Sequence, residues 1–291
     1  MDQNYIIAVA STCDLTKEYL DEHNIPFIGY SYVIGDDVFT DDCLEETRKN
    51  IYSQMRSGAI LSTSAINEFS YEEFFEGLIQ TGKDVIFLDM SRPLSSSYRF
   101  CNDAIEELKE SYPDRTIVNV DTCCVSGGLG LLVEKVIERY EQGASMQEVL
   151  DYIEDIKLKI AHRFTVDDLN WLKRGGRVSN ASALVGTLLS IKPVLYVDDT
   201  GALVASSKVR GRKVALNNVV ESIKKDVPDP SNLIFRIYHA DCLEDANYVK
   251  EKLLEEYPGA DISITSLGVV IGAHCGPGLF TIFYFTDKRN S

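Results

Sequence analysis

Val85-Ile86-Phe87-Leu88 is an unbroken apolar run of strand length. It stops at Asp89, passes through Pro93 and Ser95-Ser96-Ser97, and resumes as a segment of helical period through Leu108. A short run without polar alternation fits a strand buried on both faces, and a Pro- and Ser-rich break before period 3.6 fits a capped helix start. This strand, turn and helix unit recurs. Residues 5–10 lead through Ser11-Thr12-Cys13-Asp14 to a helix over 16–23, and residues 115–120 lead through Asp121 and Gly127-Gly128 to a long helix ending near Gly143. Alternation of this kind specifies a mostly parallel sheet with helices on both faces, whose ligands collect at the carboxyl ends of the strands. Ser11, Ser95 and Asp121 all stand at such ends. Ser95 reads as the N-cap, with Ser96 and Ser97 in the first turn. The unpaired N–H groups and positive dipole of that helix start suit a carboxylate or phosphate. Serine also caps helices that bind nothing, so on this turn alone both readings stand.

The rest of the first half adds a strand at 27–34, a helix at 44–55 and a short hydroxyl-rich segment at 60–64, which places Thr63 in a loop. Ser70-Tyr71-Glu72-Glu73 has capping-box spacing and opens the next helix, and Ser145 caps a helix running to Lys159. Near Ala161 the pattern changes. Beyond Leu172-Lys173-Arg174-Gly175-Gly176-Arg177-Val178-Ser179 comes an apolar helix-like segment to Leu189. A β-hairpin follows, built from 193–197 and 202–206 around Asp198-Asp199-Thr200-Gly201. Helices at 214–223 and 243–254 and strands at 233–238, 261–265 and 279–285 complete an α+β half. A chain of 291 residues is long enough for two domains, and these divide as 1–160 and 161–291.

Composition excludes several classes of function. A formal net charge of −16 leaves too little basic surface for nucleic acid. No uncharged apolar run reaches membrane-span length, and the start lacks a basic region followed by an apolar stretch, so a cytoplasmic protein is expected. Seven cysteines, an odd number without a Cys-x-x-Cys pair, argue for a reducing compartment and against a disulfide framework or zinc site. The segment from Gly77 to Asp84 imitates a phosphate-binding loop. It has Asp84 where Ser or Thr must hold magnesium, and it joins helix to strand, the reverse of the required order. No nucleotide site is inferred, and no Gly-x-Ser-x-Gly turn appears.

Two features remain. Gly272-Ala273-His274-Cys275-Gly276-Pro277-Gly278 sets one imidazole in a tight backbone, either as a hydrogen-bonding partner for an anion or as a turn histidine satisfied locally. Lys173-Arg174-Gly175-Gly176-Arg177 and Lys208-Val209-Arg210-Gly211-Arg212-Lys213 are basic exceptions in an acidic chain. One arginine is assigned to a ligand and the others to solvent or a partner.

Taken together, Ser11-Thr12-Cys13-Asp14-Leu15, Thr63-Ser64, Leu94-Ser95-Ser96-Ser97-Tyr98, the segment 172–179, Ile191-Lys192-Pro193, Lys208-Val209-Arg210-Gly211 and the segment 272–278 resemble, in order and spacing, the DegV family of fatty-acid-binding subunits of bacterial fatty acid kinases. The resemblance implies a two-domain α/β fold, with an N-terminal mostly parallel sheet domain and a C-terminal α+β domain. It implies a long-chain fatty acid whose carboxylate is held by Thr63 and Ser95 with Ser96 beside them, supported by His274 and Arg174. Arg210 would face a separate ATP-dependent kinase subunit that converts the acid to an acyl phosphate. The chain itself would carry no cofactor, metal or catalytic residue. The sequence departs from the family pattern in three places: Ile66 stands where a proline is common, Ser96 replaces the glycine of a Leu-Ser-Gly-Thr turn, and Ala10-Ser11 replaces Asp-Ser. The competing reading is a small-carbonyl kinase subunit related to dihydroxyacetone kinases, with His274 as its reactive residue.

Overall fold

The computed structural model of the protein describes residues 3–178, 191–227 and 233–289. Its first layer is a parallel sheet of β1 (Tyr5–Ala10), β2 (Phe27–Ile28), β6 (Asp84–Asp89) and β7 (Ile117–Asp121), in the order β2-β1-β6-β7. Between β2 and β6 the chain forms a small antiparallel sheet of β3 (Ser31–Ile34), β4 (Asp37–Thr40) and β5 (Leu61–Ser64), with β3 in the middle. Helices α1 (Lys17–Glu22), α2 (Glu45–Arg56), α3 (Glu68–Ile79), α4 (Ser97–Ser111), α5 (Gly127–Glu141) and α6 (Met146–Ile156) fill the connections of this half. Strand β6 lies between β1 and β7, and Val85 to Leu88 are wholly enclosed. Helix-covered faces on both sides account for an apolar run with no alternation.

Several local expectations are corrected. Thr63 lies on β5 opposite Tyr32, not in a loop. Helix α3 is capped by Asn67, whose side chain accepts the Ser70 N–H at 2.9 Å, so it starts before the proposed capping box. The 27–34 strand is broken in two at Gly29, where a Cβ would sit 2.4 Å from the Asp41 carbonyl oxygen. The helix-like segment proposed to end at Leu189 falls outside the described residues.

The second layer is a mixed sheet in the order β10-β9-β8-β13-β11-β12, built from β8 (Ile160–Thr165), β9 (Ile191–Val197), β10 (Leu203–Arg210), β11 (Ile234–His239), β12 (Asp261–Ser266) and β13 (Phe280–Phe285). Only β11 and β12 run parallel. The register aligns Phe164 with Leu195 and Thr281, so His162, Phe164, Val197, Leu203 and Phe283 share one face. The opposite face carries Ala161, Val194, Phe235, Ile282 and Tyr284. It is buried under α8 (Arg212–Asp226) and α9 (Leu243–Glu256) in a separate apolar cluster. The first face meets α5. A Cβ on Gly128 would lie 2.1 Å from His162 Nε2, so only glycine admits so close an approach of helix to sheet. The remaining helices are α7 (Leu169–Gly175) and α10 (Val269–Cys275). Among the described residues, no helix is long and apolar enough to cross a membrane.

Candidate functional site

A cavity of about 160 Å³ lies between the carboxyl ends of the parallel sheet and the first face of the mixed sheet. That is more than ten times the ~10–15 Å³ needed by a single water. Met90, Leu94 and Val125 line it from the turns after β6 and β7, and Phe164, Leu203 and Phe283 line it from the mixed sheet. His162, in the same wall, is fully satisfied. Its Nε2 accepts the Val125 N–H at 3.2 Å and its Nδ1 lies 3.0 Å from the Ile160 carbonyl; burial holds its pKa well below the usual value. It belongs to the neutral wall.

The cavity also has polar lining residues. Thr63 Oγ1 is 2.8 Å from His274 Nε2, and both residues line the space with Ser95 and Arg177. His274 is brought there by α10, which packs on β5. The glycine-rich segment divides in two: Gly272 to Cys275 belong to the helix, and Gly276-Pro277-Gly278 turn the chain with φ of +78° and +86° at the glycines. Gly272 fits because a Cβ would come within 2.2 Å of the Tyr52 hydroxyl. Burial lowers the His274 pKa to about 4, the Arg177 charge adds to the effect, and the Gly175 carbonyl opposes it, so the imidazole is neutral at neutral pH.

The serine turn differs in detail from its expected form. Pro93 lies in a short 3-10 turn over Arg92–Leu94, Ser95 is extended, and Ser96 takes the N-cap position of α4 without a side-chain cap bond. Ser95 Oγ instead accepts the N–H of Ser97 at 3.1 Å. Ser96 has φ −72° and ψ −9°, so this turn requires no left-handed residue and a serine replaces glycine there without strain. Ser96 is exposed at the edge of the cavity. The other departure finds its partner here: the Ile66 N–H donates to the buried Ser97 Oγ at 2.9 Å. A proline at position 66 has no such donor. This bond ties the Thr63-Ser64 segment to the start of α4.

Arg174, assigned to the ligand from the sequence, is not among the cavity-lining residues. It is exposed, with its guanidinium 4.1 Å from the Trp171 ring centroid, and it borders a separate surface depression with Asp168 and Lys173. Helix α7 carries Arg174 on its outer side and ends at Gly176, whose φ of +68° reverses the chain. Arg177 therefore turns back to the cavity, where Nη1 donates to the Gly175 carbonyl at 2.7 Å and Nε to the Leu94 carbonyl at 3.4 Å. Arg210 is exposed at the end of β10, opposite Ile191, and does not line the cavity.

Sequence reasoning missed the support behind the serine turn. Asp89, at the end of β6, is fully buried. Its carboxylate accepts from Thr12 Oγ1 at 2.7 Å, the Tyr30 hydroxyl at 2.7 Å, the Tyr71 hydroxyl at 3.2 Å and its neighbour Met90 N–H at 2.6 Å. Burial raises its pKa while these donors oppose the rise. Tyr30 lines the cavity, and the hydroxyls of Ser97 and Ser95 near it oppose the rise that burial imposes on its pKa. A second enclosed group is Arg48, which donates to the backbone carbonyls of Asp14, Leu15 and Ser266. Beside it, burial pushes the Asp14 carboxyl up to about 7 against the opposing Arg48 charge and Ser126 hydroxyl. An acid after a strand and an arginine on an amphipathic helix carry no sign of burial in the sequence.

A family model described as "Uncharacterised protein, DegV family" matches residues 5–287. The chain belongs to the DegV family. A DegV domain-containing protein of Clostridium perfringens is 38% identical over 288 residues, covering 99% of each chain. Among solved structures, a DegV lipid binding protein of Thermotoga maritima superposes with a TM-score of 0.87 at 27% identity, covering 99% of this chain and 100% of that one. A second Thermotoga maritima protein, whose structure is described as revealing a fatty acid binding function, has a TM-score of 0.85 at 27% identity, with 98% and 100% covered. The DegV fold places a parallel sheet with its helices against a mixed sheet, as in the two layers described above.

Proposed function

We propose that this DegV protein binds one long-chain fatty acid in the cavity and presents its carboxylate to a separate kinase subunit. The single observation that carries this reading is the composition of the lining, mostly apolar with a few hydroxyls, one imidazole and one guanidinium. Thr63, Ser95, Arg177 and His274 line it together, with Thr63 bonded to His274, and Phe164, Leu203 and Phe283 belong to the apolar majority of the lining. An acyl tail gains roughly 0.8 kcal/mol per methylene removed from water, before the costs of association, so few polar contacts suffice for tight retention. Thr63, Ser95 and Arg177 hold the head, with Ser96 at the edge, and Arg177 takes the part first assigned to Arg174. The halves 1–160 and 161–291 act as two domains that each supply part of the wall. In the cytoplasm, the partner kinase supplies ATP and magnesium and transfers the terminal phosphoryl group to a carboxylate oxygen, giving acyl phosphate and ADP. Exposed Arg210 faces that partner. Little in the cavity favours the small-carbonyl alternative, since His274 Nε2 is engaged by Thr63 and most of the lining is apolar.

The test is native mass spectrometry of the purified chain and its Ser95→Ala variant, followed by readdition of palmitic acid after lipid removal. The expected result is a retained fatty acid whose affinity falls about 5- to 10-fold in the variant, the loss of one hydrogen bond to the head. A protein that holds no fatty acid and binds a small ketone would replace this function with the alternative, and unchanged affinity would remove Ser95 from the site.

A further inference from the structure

We propose that Tyr52, which does not line the cavity, is a positioning residue for the head-group site: its hydroxyl fixes α10 where His274 meets Thr63. The inference takes its ligand from the fatty-acid reading and its geometry from the hydrogen bonds of α2. Arg48 and Tyr52 stand four residues apart on that helix, which puts them on one face, and both are buried. Arg48 Nη1 donates to the Ser266 carbonyl at 2.9 Å and the Asp14 carbonyl at 3.0 Å, and Nη2 donates to the Leu15 carbonyl at 2.8 Å. The Tyr52 hydroxyl shares its proton between the carbonyls of Leu267 at 3.0 Å and Gly268 at 3.2 Å. Three consecutive carbonyls, from the last residue of β12 to the residue before α10, are thus held by one helix of the first layer.

This clasp matters because α10 cannot place itself. It has seven residues, under two turns, and so short a helix is not stable in water without contacts. Its position is set by what holds its ends and sides. At the far end the Gly276 N–H donates to the Gly272 carbonyl at 2.8 Å, and a Cβ on Gly276 would lie 2.2 Å from the Trp171 ring. Near the start the Tyr52 hydroxyl lies so close to Gly272 that a side chain there would collide with it. Two residues further on, at about 100° per residue, His274 stands on nearly the opposite side of the helix. Tyr52 therefore backs α10 from behind while His274 reaches forward to Thr63 on β5.

The contact between His274 Nε2 and Thr63 Oγ1, at 2.8 Å, tolerates little movement. Retreat of α10 by about 1 Å would carry the pair beyond hydrogen-bond range. Phenylalanine at position 52 keeps the ring, removes the donor from the Leu267 and Gly268 carbonyls, and opens room behind Gly272 for that retreat. A residue that acted on stability alone would leave the folded site unchanged.

The test uses the full chain, its Tyr52→Phe and His274→Ala variants, and the double variant. Palmitate affinity is read by competitive displacement of a fluorescent fatty acid. The His274 ring nitrogens are read by long-range proton–nitrogen correlation spectra of the lipid-stripped proteins, assigned by their loss in His274→Ala. Tyr52→Phe should weaken palmitate about 5-fold, the size of one net hydrogen bond, and move the His274 signals while those of His23, at the end of α1, stay in place. In the His274→Ala background the same substitution should cost less than about twofold, because the group it positions is gone. Unmoved His274 signals, palmitate affinity within about twofold of the unaltered chain, or an undiminished cost in the His274→Ala background each overturn the positioning role. Moved signals in a chain that holds no palmitate at all sustain that role and overturn the fatty-acid reading. If Tyr52→Phe does not fold, Gly272→Ala disturbs the same contact from the helix side and must move the same signals.

Discussion

Tyr30→Phe removes one oxygen from the support behind the serine turn and leaves the ring in place. Asp89 is fully enclosed, and all four groups at its carboxyl donate to it. The Met90 N–H can only donate and the three hydroxyls donate in this arrangement, so together they oppose the rise that burial imposes on the carboxyl. Without the Tyr30 hydroxyl, Oδ2 keeps only the longer bond from Tyr71, at 3.2 Å. A hydrogen bond to a charged group contributes about 1.5–3 kcal/mol, and the loss falls on a buried acceptor that water cannot satisfy. The Asp89 pKa, already raised by burial, rises further. An acid with a raised folded-state pKa costs stability once pH exceeds its unfolded value, and the full cost appears above the folded value. The variant should therefore be less stable by about 2 kcal/mol in urea at pH 8, and the deficit should shrink as falling pH protonates Asp89. Tyr30 also lines the cavity with Ser95, so the same substitution should release palmitate faster. A loss below about 0.5 kcal/mol at pH 8 would refute the assignment of Asp89 as a carboxylate dependent on Tyr30.

Two further outcomes follow from the same geometry. Arg177→Ala should weaken palmitate binding about 10-fold or more, whereas Arg174→Ala should change it less than about twofold, read by competitive displacement of a fluorescent fatty acid. The reverse order would restore the sequence assignment. Gly128→Ala should lower stability by about 1–3 kcal/mol despite the better helix propensity of alanine, because its Cβ meets His162 across the helix–sheet contact. A thermal midpoint equal to or above that of the unaltered chain would show that α5 can shift outward at little cost.

The architecture was legible in the sequence where burial is symmetrical. Val85 to Leu88 read as a strand because helices cover both faces, and period 2 was not needed to recognise it. Strand β5 lacked such a signature. Leu61 is buried while Ser62 and Ser64 are exposed, and its pairing with β3 makes it a strand. The glycines of 272–278 read as a turn, although Gly272 serves a helix that needs room beside Tyr52. Thr63, Ser95 and His274, singled out in the sequence, line one cavity. Arg177 joins them in the lining and Arg174 does not, because the chain reverses at Gly176 after α7. Asp89 and Arg48 stayed invisible, since a charged residue reads as solvated until tertiary contacts enclose it.

Strand β13 is the latest of the described strands to leave the ribosome, yet it lies inside the second sheet, between β8 and β11. Until residues 280–285 are available, β8 and β11 have no common neighbour and the wall of the cavity lacks Phe283. The nascent chain must keep two open strand edges and a greasy half-shell from other polypeptides throughout its synthesis. Premature termination just short of that strand would leave an aggregation-prone product in place of a shortened but folded protein.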